Sequence, residues 1–151
     1  PAMALATAPD LGLALVLGQN GRLQAIGWKE NNPRWTTAVG ELLYGYLDAG
    51  TELVGAGNDR GELAAITLAD GLRRWHREWP GGGVTAPLVE RDGILFWGGN
   101  DGAVHAMNAA TGEWRWQIKT GKEVRVPPVF AGRMLVAGGD DGFLVGVPWK
   151  K

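Results

Sequence analysis

Two acidic turns, Asn100-Asp101-Gly102 and Asp140-Asp141-Gly142, offer the carboxylates and carbonyls that suit a hard cation such as Ca²⁺. Neither supplies the further ligands of an EF-hand loop. A polar residue ahead of Gly also recurs at regular intervals, so hairpin-turn chemistry accounts for both. The glycines from Gly55 to Gly61 and the run Gly81-Gly82-Gly83 could cradle a phosphate only if a helix began after them. Strand-like sequence follows each. His76 and His105 are the two imidazoles, and they fall in separate repeat units. The residues in the His105 column of the repeat are Gln24, Ala64 and Val145, so a surface position is the expectation for both histidines. No Ser–His–Asp arrangement can be built from positions this scattered. The cluster Arg73-Arg74-Trp75-His76-Arg77 interleaves bases with an indole as nucleic-acid binders do. A net charge of −1, from 15 Lys+Arg against 16 Asp+Glu, argues against such a partner. The chain has no Cys, which removes disulfides, thiolate catalysis and thiolate metal sites. No catalytic, cofactor-binding or metal-binding set is assigned.

What the sequence does specify is a framework. It has 25 glycines and eight tryptophans in 151 residues, with 45% hydrophobic residues. That composition points to one β domain rich in turns and pinned by aromatic side chains. The apolar opening PAMALATAPDLGLALVLG lacks a basic start and is broken by Pro9 and Asp10, so it reads as neither a signal peptide nor a membrane span.

The framework repeats about every forty residues. Gly21, Gly61, Gly102 and Gly142 are spaced 40, 41 and 40 apart, and a Trp stands fourteen residues after the first three, at Trp35, Trp75 and Trp116. Two residues beyond each Gly comes an apolar residue (Leu23, Leu63, Val104, Leu144), then a small one (Ala25, Ala65, Ala106, Gly146). A looser column precedes the Gly at Pro9, Tyr46, Pro87 and Pro128.

Each unit divides into four short strands. In the third, Val84–Val89 and Ile94–Gly99 read as the first two, the latter buried on both faces. A turn at Asn100-Asp101-Gly102 leads to Ala103–Asn108, and Ala110-Thr111-Gly112 leads to Glu113–Lys119. Asn31 replaces Gly71 and Gly112 in the first copy and is expected in the same left-handed turn. Four antiparallel strands at this period describe β-propeller blades, with the Trp filling the wedge between neighbours. Arg34, Arg73, Arg74, Arg77, Arg115 and Lys119 would lie on the outermost strands, where charge discourages edge pairing. The units span approximately 7–40, 43–80, 84–121 and 125–148, and the first strand is expected after Pro9. This gives a single all-β domain of three full blades and three strands of a fourth, an incomplete ring. The remaining blades are expected from further sequence or from oligomerisation.

The segment Ala106-Met107-Asn108-Ala109-Ala110-Thr111-Gly112-Glu113-Trp114-Arg115-Trp116 resembles the tryptophan docking motif of quinoprotein-type (PQQ-like) propeller repeats. Thr85-Ala86-Pro87 and Gly98-Gly99-Asn100-Asp101-Gly102 also resemble that repeat, whereas the second and first copies retain less of it. One branch of that family, the quinone-dependent dehydrogenases, implies pyrroloquinoline quinone held with a vicinal Cys pair and Ca²⁺. This chain has no Cys and no long insertions to build such a cap. The other branch, the non-catalytic BamB-like lipoproteins of outer-membrane assembly, implies no cofactor, protein partners, no nucleic acid and a periplasmic or envelope location. The ending after Gly142–Val147 resembles that second branch. The expected function is a non-enzymatic protein-binding scaffold; the alternative is the C-terminal part of a dehydrogenase. Partner contacts are expected on loops joining successive blades, Leu42–Gly45, Trp79-Pro80-Gly81 and Gly121-Lys122-Glu123. Trp79, outside the periodic set and expected to be exposed, is the candidate partner-binding residue.

Overall fold

A computed structural model describes residues 2–40 and 45–148, which form an all-β arc of four sheets. The first blade consists of β1 (Ala2–Ala8), β2 (Leu13–Gly18), β3 (Arg22–Gly27) and β4 (Pro33–Ala38). The second consists of β5 (Gly45–Ala49), β6 (Leu53–Asn58), β7 (Glu62–Thr67) and β8 (Arg73–Glu78). The third consists of β9 (Val89–Arg91), β10 (Ile94–Gly98), β11 (Ala103–Asn108) and β12 (Trp114–Lys119). The last sheet has three strands, β13 (Val129–Ala131), β14 (Met134–Gly138) and β15 (Leu144–Pro148). Strands pair antiparallel in chain order within each sheet, and the sheets do not close into a ring. Among the described residues no helix is long and apolar enough to cross a membrane.

The core lies between blades. One apolar cluster joins the first and second blades through Leu15, Leu17 and Leu23 against Val54, Ile66 and Leu68. A second joins Leu63 and Trp75 to Leu95, Trp97 and Met107, and a third joins Phe96 and Val104 to Leu135 and Ala137. Successive residues of β10 therefore point into different cores, Leu95 and Trp97 one way and Ile94 and Phe96 the other. Every residue of that strand is buried, which is why it reads as an unbroken apolar run instead of alternating.

Indoles link neighbouring blades. The Trp35 Nε1–H donates to the Leu68 carbonyl at 2.9 Å, and the Trp75 Nε1–H donates to the Ala109 carbonyl at 2.8 Å. Under each indole lies a glycine with φ of +74° (Gly71) or +68° (Gly112), and a Cβ there would stand within 2.7 Å of the ring. Trp116 packs on Phe96 with centroids 5.8 Å apart; the acceptor position that corresponds to Leu68 and Ala109 falls just past Pro148, outside the described residues.

Three local expectations need correction. The innermost strand of the first blade is Ala2–Ala8, ahead of Pro9, and Pro9 instead opens a 3₁₀ turn (Pro9–Leu11) that closes on left-handed Gly12. Pro87 and Pro128 precede the inner strands of their blades, so Pro9 does not belong to their column. Val84–Val89 is not a continuous strand: Val84 forms a lone bridge to Gly99, and ladder pairing starts at Val89, because Pro87 has no N–H to give. Asn31 is not left-handed; among the described residues Asp92 is the one non-glycine with positive φ. Gly71 and Gly112 both underlie an indole of the preceding blade, whereas Asn31 belongs to the first blade described.

If these indoles join the wedges, Trp75→Ala should cost about 3–5 kcal/mol of unfolding free energy. Trp75→Phe should cost less, chiefly by leaving the Ala109 carbonyl unpaired. Urea denaturation followed by circular dichroism measures both, and a loss below about 1 kcal/mol for the alanine variant would contradict the packing described.

Candidate functional site

The turns between second and third strands and the loops that join successive blades gather at one mouth of the arc. Their backbones are stitched together. The Trp79 N–H donates to the Gly61 carbonyl at 2.7 Å and the Val84 N–H to the Asn58 carbonyl at 2.8 Å, tying residues 79–84 to their own blade's turn. The Asn100 N–H then reaches the Gly83 carbonyl at 3.2 Å, tying the loop to the next blade. The following loop repeats the scheme, with Thr120 N–H to Gly102 O at 2.9 Å and Asp140 N–H to Glu123 O at 3.0 Å. Gly83 is required by close approach, since a side chain there would run into the Asp59 carbonyl. The glycine run thus serves backbone packing; β7 follows the first glycine-rich stretch, a lone bridge at Val84 follows the second, and no helix starts after either.

Near the inner strands the mouth holds a groove of about 430 Å³ lined by Tyr46, Asp59, Val84, Thr85, Glu123 and Arg125. The Tyr46 hydroxyl donates to the Thr85 carbonyl at 3.3 Å, and the Thr85 hydroxyl donates to the Val124 carbonyl at 2.8 Å. Burial, and then the carboxylates of Asp59 and Glu123, push the Tyr46 phenol pKa up. Arg125 spans Glu123 (2.9 Å) and Asp140 (2.8 Å). Such exposed pairs contribute little stability, but they fix the charge pattern of the rim.

Beside the groove is an aromatic cluster. Trp79 meets Trp97 edge-on at 5.6 Å and His105 at 4.8 Å, and Trp114 lies near-parallel to it at 6.4 Å. His105 stacks on Trp97 at 5.0 Å. Its Nε2 is 3.0 Å from Asp101 Oδ1, and Lys119 Nζ is 3.5 Å from Asp101 Oδ2. Trp79 is half-buried instead of exposed, while Trp114 is 52% exposed.

The surface expectation for His105 is wrong: the residue is 0% exposed. Alternation placed its side chain on the face opposite Val104, but that face is covered by the preceding blade and by Trp79. His76 lies on β8, away from this cluster and half-buried, so the two imidazoles do not converge. Among the described residues no three His, Asp or Glu side chains stand close enough to hold a metal. The Asp101 carboxylate meets His105 and Lys119, Asp140 meets Arg125, and Asp141 accepts from the Phe143 N–H at 3.2 Å. Of the loops named from sequence, 79–81 and 121–123 lie at this mouth, and residues 42–44 lie outside the described residues. The groove formed by Tyr46, Glu123 and Arg125 was not anticipated. Its members come from three blades, and the two that share a repeat position, Thr85 and Arg125, are chemically unlike, so the repeat pattern carries no signal of it.

Fold and mouth together define an arc of a β-propeller built from inter-blade docking repeats. A family model described as outer membrane protein assembly factor BamB matches residues 59–147, more than half of the chain. The chain belongs to that family of PQQ-like propeller repeats. It is 24% identical over 137 residues to the outer membrane protein assembly factor BamB of Moranella endobia (strain PCIT), covering 87% of this chain and 33% of that protein. It is also 25% identical over 173 residues to the serine/threonine-protein kinase AfsK of Streptomyces griseus, covering 88% of this chain and 20% of the kinase. The crystal structure of BamB from Moraxella catarrhalis superposes with a TM-score of 0.82 at 20% identity, over 97% of this chain and 46% of that one. The chain therefore spans a third or less of these curated relatives and about half of the solved BamB chain.

Burial holds the His105 pKa below the ordinary histidine value, against the opposing pull of Asp101. An unfolded chain therefore binds this proton more readily than the native one. The contribution is intact above a pH of about 6.5 and is lost as pH falls through the window between the unfolded and the lower folded pKa. Urea midpoints should fall between about pH 7 and about pH 5, and His105→Gln should remove this component of the slope.

Proposed function

We propose that this chain is part of a non-enzymatic scaffold that binds other proteins during outer-membrane protein assembly in the bacterial envelope. The observation that carries the reading is the match of the BamB family model over residues 59–147. The mouth supports it physically. A stitched loop surface presents a half-buried Trp79 and an exposed Trp114 beside a polar groove, the mixture of aromatic anchor and polar rim that protein interfaces favour. The ionic groups at the rim are matched with one another, as Arg125 is with Glu123 and Asp140, which suits recognition better than proton transfer. The kinase relative is similar over 88% of this chain yet has a different named activity, so the assignment rests on family and surface and not on similarity of sequence alone.

A photo-crosslinking residue placed at Trp79 or at Trp114 of the full-length protein tests this in cells that encode it. Adducts with the β-barrel assembly machinery are expected from both, and none from Arg74 on the outer strand β8. Trp79→Ala should weaken co-purification of the captured protein about tenfold or more. Equal adducts from Arg74, or dye-linked oxidation of alcohols or sugars after addition of pyrroloquinoline quinone and Ca²⁺, would overturn the scaffold reading.

A further inference from the structure

Three of the four buried side-chain nitrogens and oxygens without a hydrogen-bond partner among the described residues belong to one cluster: Trp79 Nε1, Trp97 Nε1 and His105 Nδ1. The three rings lie within 5.6 Å of one another, centroid to centroid. With Nε2–H donating to Asp101, the neutral His105 ring leaves only a bare lone pair at Nδ1, which an apolar enclosure tolerates. A second proton turns that same atom into a donor with no acceptor.

We infer that His105 is an acid-sensitive latch for the loop that carries Trp79. In its neutral form the imidazole lies sealed beneath the indole; protonated, it drives residues 79–83 away from the β10–β11 hairpin. The seal is asymmetric. Trp97 and His105 sit on paired strands, opposite each other in the ladder, whereas Trp79 sits just past the end of β8. Loop movement is therefore the least costly way to bring water to Nδ1. The loop is restrained at its ends by the bonds of Trp79 to Gly61 and of Val84 to Asn58, and is tied to the hairpin by the Asn100 N–H to Gly83 carbonyl bond of 3.2 Å, which the movement breaks; Pro-Gly-Gly-Gly lies between its ends. The charged groups facing His105 are Asp101 from its own hairpin and Lys119 from β12; the Trp-Pro-Gly-Gly-Gly segment contributes no titratable group. Asp101 and the indole faces favour the imidazolium, but burial opposes it and is the larger effect. The outcome is regulation of the mouth: acid frees an indole that neutral pH keeps half-covered. This functional consequence rests on the reading of Trp79 as a partner contact, while the latch itself is measurable without any partner.

Hydrogen exchange followed by mass spectrometry on the full-length protein tests it. Between about pH 7.5 and about pH 5, exchange of the Trp79 and Asn100 amides, whose hydrogen bonds hold the loop, should rise about tenfold after correction for the intrinsic pH dependence. Residues 120–124, the corresponding loop of the next blade, should not change. His105→Gln should abolish the rise. Asp101→Asn should move its midpoint to lower pH, because it removes a group that favours the charged ring. A flat response in the parent, an equal rise at residues 120–124, a rise that survives His105→Gln or a midpoint unmoved by Asp101→Asn would each overturn the latch. None of these outcomes depends on whether crosslinks at Trp79 find a partner.

Discussion

An indole N–H held by the next blade's carbonyl, over a glycine that leaves room for the ring, is the contact on which the arc depends. A single four-stranded blade is too thin to bury both of its faces. Trp35 and Trp75 each reach across the wedge to a carbonyl of the following blade, Leu68 and Ala109. The hydrogen bond fixes direction, the ring supplies apolar area, and the left-handed glycine beneath permits the approach. The same geometry recurs at these two wedges, so the chain repeats one solution. The apolar cores then fill between blades, and this is why β10 is buried on both faces.

Rigidity at the wedges shapes the mouth. Backbone hydrogen bonds anchor residues 79–84 and 120–124 to the turn of their own blade and to that of its neighbour, so with His105 neutral these loops form one continuous surface in place of independent segments. Groups from three blades meet there: Tyr46 and Asp59 from the second, Val84 and Thr85 leading into the third, and Glu123 and Arg125 leading into the fourth. A scaffold of this kind can change its partner by altering loop residues while the wedge contacts stay in place.

The architecture was legible in the sequence because it is periodic. Recurring glycines at 21, 61, 102 and 142 mark positive-φ turns, and the fold class follows from four strands between such marks. Non-periodic features were not legible in the same way. Pro9 resembled the later prolines by position alone, and the strand it seemed to introduce precedes it, hidden in an apolar segment whose pairing depends on β2. Asn31 occupies a glycine column, yet the left-handed conformation is found at the two glycines of that column, Gly71 and Gly112, which lie beneath an indole, and not at Asn31. His105 looked like a surface residue because its column is chemically mixed. The column could not reveal that Trp79, which occurs once, closes over it. Asp101, four residues earlier across the hairpin, was the available hint.

The wedge contact has a direct readout in the exchange of single indole protons. In NMR spectra of the native protein, the Nε1–H of Trp35 and Trp75 should exchange only through opening of the inter-blade contact, orders of magnitude more slowly than that of Trp28, which is 63% exposed. Exchange of all three at the same rate would mean that the blades are not held together by their indoles.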